Sequence, residues 1–147
     1  MRRSIWGWTL LVLIGLQGCR TGSNVTNAID SRQVVWTQQL ASLETMSNGL
    51  QNRFDRDVAA QMDQASSLPP LALRARYLLS GAKQSIVDIR VHVGQAPARV
   101  RRALDKDIAD GEKSLDEEEA TVTGYLATLR QKLEDAEKAI NELTHQS

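Results

Sequence analysis

Residues 122–143, VTGYLATLRQKLEDAEKAINEL, decide the fold of this chain. Their apolar side chains recur in alternating steps of four and three, which is the heptad spacing of a helix that packs along one line. Leu115 continues the same phase one heptad upstream. The predicted coiled-coil seam consists of Leu115, Val122, Leu126, Leu129, Leu133, Ala136, Ile140 and Leu143.

The seam positions are less apolar towards the beginning of the helix. It places Asp105, Glu112 and Glu119 on seam positions, where coiled coils ordinarily carry apolar residues. We therefore expect this half of the helix to splay, or to meet basic partners.

Two further helices are predicted upstream, over residues 24–65 and 70–93, because their apolar residues also share one face. The first is broken by the prolines that follow residue 68, and proline suits the first turn of the next helix. Pro97 is expected to end or kink the second helix, since proline lacks a backbone donor and restricts the residue before it. The third helix is predicted over residues 97–144. The apolar face of the first helix is formed by Ile29, Trp36, Leu40, Leu43, Leu50, Phe54, Val58 and Met62.

The predicted fold is all-α: an elongated three-helix bundle, or a helical hairpin if the second helix continues through a kink into the third. At 1.5 Å per residue the three helices would span about 60, 35 and 70 Å. A short middle helix would leave parts of the long ones uncovered. This difference in length suggests self-association or a protein partner.

The charges balance overall but are unevenly distributed. The chain has 18 Lys and Arg against 18 Asp and Glu. Residues 70–102 carry one acid, Asp88, whereas residues 103–147 are mostly acidic. The candidate contacts for an anionic ligand in the basic segment are Arg90, Arg99, Arg101 and Arg102. The alternative is that these residues pair with acids of the third helix.

Cys19 is the only cysteine, and it follows a segment with the order of a secretory signal. Arg2 and Arg3 form the basic start, and an apolar stretch runs over residues 5–16. The run Leu16-Gln17-Gly18-Cys19 resembles the lipobox of bacterial lipoproteins. The resemblance implies cleavage before Cys19, a diacylglycerol on its sulfur and a fatty acyl group such as palmitate on the new amino group. It divides the chain into a signal peptide (1–18), a spacer (19–23) and a helical domain (24–147).

The alternatives to a lipobox are a transmembrane anchor and an ordinary signal peptide cut elsewhere. A spanning helix needs about 20 apolar residues, more than the stretch over residues 5–16 supplies. The position of the sole cysteine directly after Gly18 favours lipidation over the other cleavage.

No catalytic or metal-binding constellation is predicted. Ser80 and Lys83 fit the pattern Ser-x-x-Lys of penicillin-binding proteins, but the companion motifs of those enzymes are missing from the sequence. Residues 105–116 do not fit a calcium loop, because position 5 is Ala109, position 6 is Asp110 rather than glycine, and position 12 is Asp116 rather than glutamate. We expect a protein that is not an enzyme and has no cofactor or metal apart from the covalent lipid.

The sequence therefore predicts a lipid-anchored protein of the bacterial cell envelope that faces the periplasm. Arg20 beside the lipidated cysteine implies the outer rather than the inner membrane under the sorting rule that accompanies this signal. The expected role is structural or protein-interacting, through self-association or another envelope protein and without nucleic acid. The alternative function is binding of anionic lipid or cell-wall polymer through the basic helix turn.

Overall fold

The computed structural model describes residues 21–59 and 69–145, which form three helices. Helix α1 spans Gly22–Phe54 and continues into a π-helical turn at Asp55–Ala59. Helix α2 spans Pro70–Leu104, and helix α3 spans Ile108–His145. The all-α prediction is confirmed, and the three-helix bundle is the form adopted. No helix within the described ranges combines the length and apolarity needed to cross a bilayer.

Helix α2 passes through Pro97, so the prediction that the second helix ends at this residue is wrong. Proline has no N–H to donate to the carbonyl oxygen of Val93, four residues earlier. The side-chain amide of Gln33 on α1 donates to that oxygen instead, at 3.3 Å. A donor from a neighbouring helix therefore satisfies the carbonyl that Pro97 leaves unpaired.

The turn between α2 and α3 lies at residues 105–107, and the helix boundaries on both sides of it are eleven residues later than the sequence indicated. Asp107 Oδ1 accepts a hydrogen bond from the backbone N–H of Asp110 at 2.7 Å, which caps the first turn of α3. This cap was not predicted from the sequence.

The three helices are nearly equal in length, so the predicted mismatch is also wrong. They contain 33, 35 and 38 residues. These lengths correspond to about 50, 53 and 57 Å. The difference disappears because α2 takes up residues 94–104. The difference in helix length therefore no longer supports self-association or a protein partner.

The helices run up, down and up. Leu104, at the end of α2, lies beside Gly22 at the start of α1. At the opposite end, Arg53 of α1 donates to Asn141 of α3 at 2.8 Å. Helices α1 and α3 are therefore parallel, and α2 is antiparallel to both.

One apolar core runs the length of the bundle. It buries all the predicted apolar positions of the first helix except Met62, which lies outside the described residues. Helix α2 contributes many small residues, including Ala72, Ala75, Ala82 and Ala96. Small side chains allow the α1 and α3 backbones to approach α2 closely.

Candidate functional site

A carboxylate interrupts the apolar row of α3. Glu118 is buried between Leu115 and Val122, with 10% of its side chain exposed. The buried row reads Gly111, Leu115, Glu118, Val122. Upstream of Val122, its intermediate positions are therefore one residue earlier than the predicted seam had them. A buried carboxylate needs partners, because desolvation of an unpaired charge is strongly unfavourable.

Two residues of α2 supply these partners. Arg99 donates through Nε to Glu118 Oε1, and through Nη2 to Oε2 at 2.9 Å. His92 Nε2 lies 2.9 Å from Glu118 Oε2. Arg99 Nη2 also donates to the carbonyl oxygen of His92 at 2.9 Å. We call Glu118, Arg99 and His92 the polar cluster; it joins α2 to α3 by a planar two-point contact of the kind that arginine makes with carboxylates.

The cluster changes the proton affinity of its carboxylate. Hydrogen bonds from Arg99 lower the pKa of Glu118, more than partial burial raises it, and His92 lowers it further. The hydrogen bond with Glu118 in turn raises the pKa of Arg99. Glu118 is therefore held ionised, and it acts as an acceptor for both neighbours.

A groove of about 480 Å³ opens beside the polar cluster, between α2 and α3. The His92 ring meets Tyr125 edge-on, with 5.4 Å between ring centroids. Further along, Lys132 Nζ donates to Ser85 Oγ at 2.9 Å. The groove is lined by Ser85, Asp88, Ile89, His92, Tyr125, Thr128, Leu129 and Lys132.

The groove offers hydrogen-bonding groups above an apolar floor, as small-molecule sites do. Lys132 donates to Ser85 across the groove. The contact acts as a link between two helices. Within residues 21–59 and 69–145, no three His, Cys, Asp or Glu side chains converge on a point that could hold a metal ion.

The structure does not gather the four predicted anion-contacting arginines into one site. Arg90 pairs with Glu44 at 2.6 Å, and Arg101 pairs with Asp30 at 2.9 Å, both acids on α1. Arg99 belongs to the polar cluster. Three of the four are thus engaged within the chain, two of them with the first helix rather than the third. Arg102 is exposed and has no ion-pair partner in the described part of the chain.

The coiled-coil seam lies inside the bundle. All its residues are buried except Leu143, which is partly buried against the core. The predicted upstream phase is wrong, since Glu118 and Gly111 take the core positions assigned to Glu119 and Glu112. Glu119 instead pairs with Arg32 of α1. The seam residues pack in the core of the same chain.

The lipobox residues Leu16, Gln17, Gly18 and Cys19 lie outside the described residues. Ser80 and Lys83 are both exposed on α2.

Sequence reasoning missed Glu118, His92 and Tyr125. The sequence pattern that could have identified Glu118 is a second helical spacing upstream of Val122, which runs through Glu118, Leu115 and Gly111. The small residue Gly111 marks a core position where two backbones come close. The pairing of His92 with Glu118 depends on the angular relation of two helices, which the sequence does not contain.

Comparisons with known protein families, with curated proteins and with solved structures found no match to this chain.

Proposed function

We propose that this chain is a lipid-anchored protein of the bacterial cell envelope whose helical bundle has a structural or interaction role and no catalytic one. The observation that carries the proposal is the position of Cys19. It ends a segment that resembles a lipoprotein signal, and only Arg20 and Thr21 separate it from the start of α1.

The short spacer gives the anchor a mechanical consequence. Three Cα–Cα steps join Cys19 to Gly22, and they reach at most about 11 Å. Acylation of Cys19 at more than one point gives stable attachment, whereas a single chain gives marginal binding. The end of the bundle that contains Gly22 and Leu104 would thus be held against the bilayer, with residues of all three helices exposed to the periplasm.

Metabolic labelling tests the anchor. The full chain, expressed in a bacterium with an alkyne analogue of palmitate, is expected to carry the label and to sediment with membranes. The variant Cys19→Ser should lose both properties. Unlabelled wild-type chain in the soluble fraction would refute the proposal.

Photo-crosslinking in intact cells tests the interaction role. The sites are exposed positions on the periplasmic faces, Ala41 of α1 and Ala120 of α3. Seam positions such as Leu133 are unsuitable because the chain's own core buries them. A discrete adduct from either face, identified by mass spectrometry as a second copy or another envelope protein, would support the role. Anchored chain that gives no adduct from either face would count against it.

The anionic-ligand alternative is less favoured in its original form. Arg90, Arg99 and Arg101 are committed to carboxylates of the same chain. Replacing them would disturb the bundle as well as any ligand contact.

A further inference from the structure

The outward side of α2 combines exposed apolar side chains with free positive charge. Leu73, Tyr77, Val87 and Val91 are among the large apolar residues that the structure leaves exposed, at 51%, 79%, 50% and 54%. At 3.6 residues per turn these four positions fall within about 80° of one another. The buried residues of α2 lie on the opposite side.

The cations on and beside this side are not neutralised. Three arginines of α2 pair with carboxylates, as described above. Arg74, Arg76, Lys83 and Arg102 are exposed, and none has an ion-pair partner within the described ranges. The only acid of α2, Asp88, accepts a hydrogen bond from Gln84 at 2.9 Å. We call these four apolar residues and four cations the α2 outer face.

We propose that the α2 outer face docks on the surface of an anionic lipid bilayer. Apolar side chains of this kind enter the boundary between head groups and acyl chains, while Lys and Arg are attracted to anionic head groups. A tyrosine suits this boundary because its ring is apolar and its hydroxyl is polar. An anionic bilayer meets both requirements of the face.

Two other occupants fit less well. A second copy docked through the same face would bring two sets of unpaired cations together, which repel. A cell-wall polymer would meet the cations but would leave Leu73, Val87 and Val91 in water.

The tether gives the docked state a defined geometry, and on this point the inference rests on the proposed function. Cys19 lies close in sequence to the end of the bundle that contains Leu104. If the bundle stood upright on that end, Tyr77 would be about 40 Å from the bilayer. If the bundle lay on the α2 outer face, Tyr77 would be at the head groups. The position of residue 77 therefore distinguishes the two arrangements.

The test measures the depth of residue 77 in vesicles. The full chain carries Tyr77→Cys with a fluorescent thiol label, and the control chains carry Asn52→Cys on α1 or Lys138→Cys on α3. Both control positions are exposed and lie about as far from the Leu104 end of the bundle as Tyr77 does. The vesicles are phosphatidylcholine, with or without phosphatidylglycerol, and contain a spin-labelled lipid that quenches nearby fluorophores.

We expect quenching at residue 77 in phosphatidylglycerol vesicles, with little at residues 52 and 138. Raising the salt concentration should reduce it, because salt screens exposed charges. With the label moved to Val91→Cys, Arg74→Gln and Arg76→Gln should each lower the docked-to-undocked ratio about fivefold. Arg130→Gln, which removes an exposed cation of α3, should leave the ratio unchanged.

The outcomes separate this inference from the lipid anchor. Flotation with both kinds of vesicle, and quenching at 77 only with phosphatidylglycerol, supports both. Flotation only with phosphatidylglycerol, with the same quenching, supports docking and removes the anchor. Flotation with both kinds of vesicle, without preferential quenching at residue 77, overturns docking and keeps the anchor. Flotation only with phosphatidylglycerol, without that quenching, overturns both. Failure to float with either vesicle overturns both.

Discussion

Gln33 of α1 hydrogen-bonds to the carbonyl oxygen of Val93 in α2, four residues before Pro97. This contact satisfies the carbonyl that Pro97 leaves without a donor, in a helix that was expected to end or kink at this proline. We therefore expect the contribution of Gln33 to stability to depend on whether residue 97 is proline.

Replacing Gln33 by Met keeps the length of the side chain and removes its donor. We expect the free energy of unfolding to fall by about 1 kcal/mol, because the Val93 carbonyl loses its substitute partner in a buried position. In a Pro97→Ala chain, the restored N–H can bond to Val93, so the same change should have a smaller effect. Urea denaturation of the four chains of this cycle measures the coupling. Equal losses in both backgrounds would show that Gln33 does not compensate for Pro97.

Arg99→Met should be strongly destabilising, since it leaves the Glu118 carboxylate without its main partner. We expect a loss of about 2–4 kcal/mol, towards the lower end of the range for breaking a buried pair, because 33% of the Arg99 side chain is exposed. Arg102→Met, on the same helix but exposed, is the matched control and should change stability by less than about 0.5 kcal/mol.

The double variant Arg99→Met/Glu118→Leu distinguishes loss of the pair from loss of packing. Removing both charges should recover much of the stability, as replacement of a buried ion pair by apolar residues often does. A double variant that is as unstable as Arg99→Met alone would show that the arginine stem, rather than the charge pair, stabilises this part of the bundle.

The stability of the bundle should depend on pH through Glu118. Because folding lowers the pKa of this carboxyl, the unfolded chain binds the proton more readily than the folded chain. The stabilisation is fully present above the ordinary glutamate pKa of about 4.3, and it is lost as pH falls through the lower pKa of the folded state. The chain Glu118→Gln should lack this part of the acid dependence. Thermal melts of both chains between about pH 7 and pH 3 measure the difference; parallel curves would contradict the assignment.

Gly111→Ala should destabilise the bundle, although alanine favours helix. A Cβ at residue 111 would lie 2.8 Å from Leu104 Cδ1 and 3.2 Å from Leu104 Cα, so the turn between α2 and α3 would have to shift. We expect overpacking to outweigh the helix preference, with a net loss of about 1 kcal/mol.

Gly124→Ala is the matched control, in the same helix and with no atom within 4 Å of the added Cβ. It should gain up to about 1 kcal/mol. In a denaturation experiment, the free energy of unfolding should thus fall for Gly111→Ala and rise for Gly124→Ala. A gain at both positions would show that the turn can move away from residue 111 without loss.

The pattern of apolar residues predicted the all-α class and most of the buried positions, apart from the first turns of α3, where Gly111 and Glu118 take the core positions. It could do so because the period of apolar residues reports which side of a helix avoids water, as with Ile29, Trp36, Leu129 and Leu133. It could not locate the break between α2 and α3. That break depends on whether another helix supplies a donor at Pro97, and Gln33 is more than 60 residues away in sequence.

The partners of charged residues were decided by the tertiary structure alone. Counting charges suggested that basic α2 would pair with acidic α3, yet Arg90 and Arg101 reach α1, whereas Arg99 reaches Glu118 of α3. The physical reason is angular: a salt bridge needs two side chains on facing sides of neighbouring helices, and a change of one residue turns a side chain by about 100°. The periodic pattern constrains the apolar side of each helix. The pairing of polar groups and the exposure of the α2 outer face follow from how the three helices are rotated against one another.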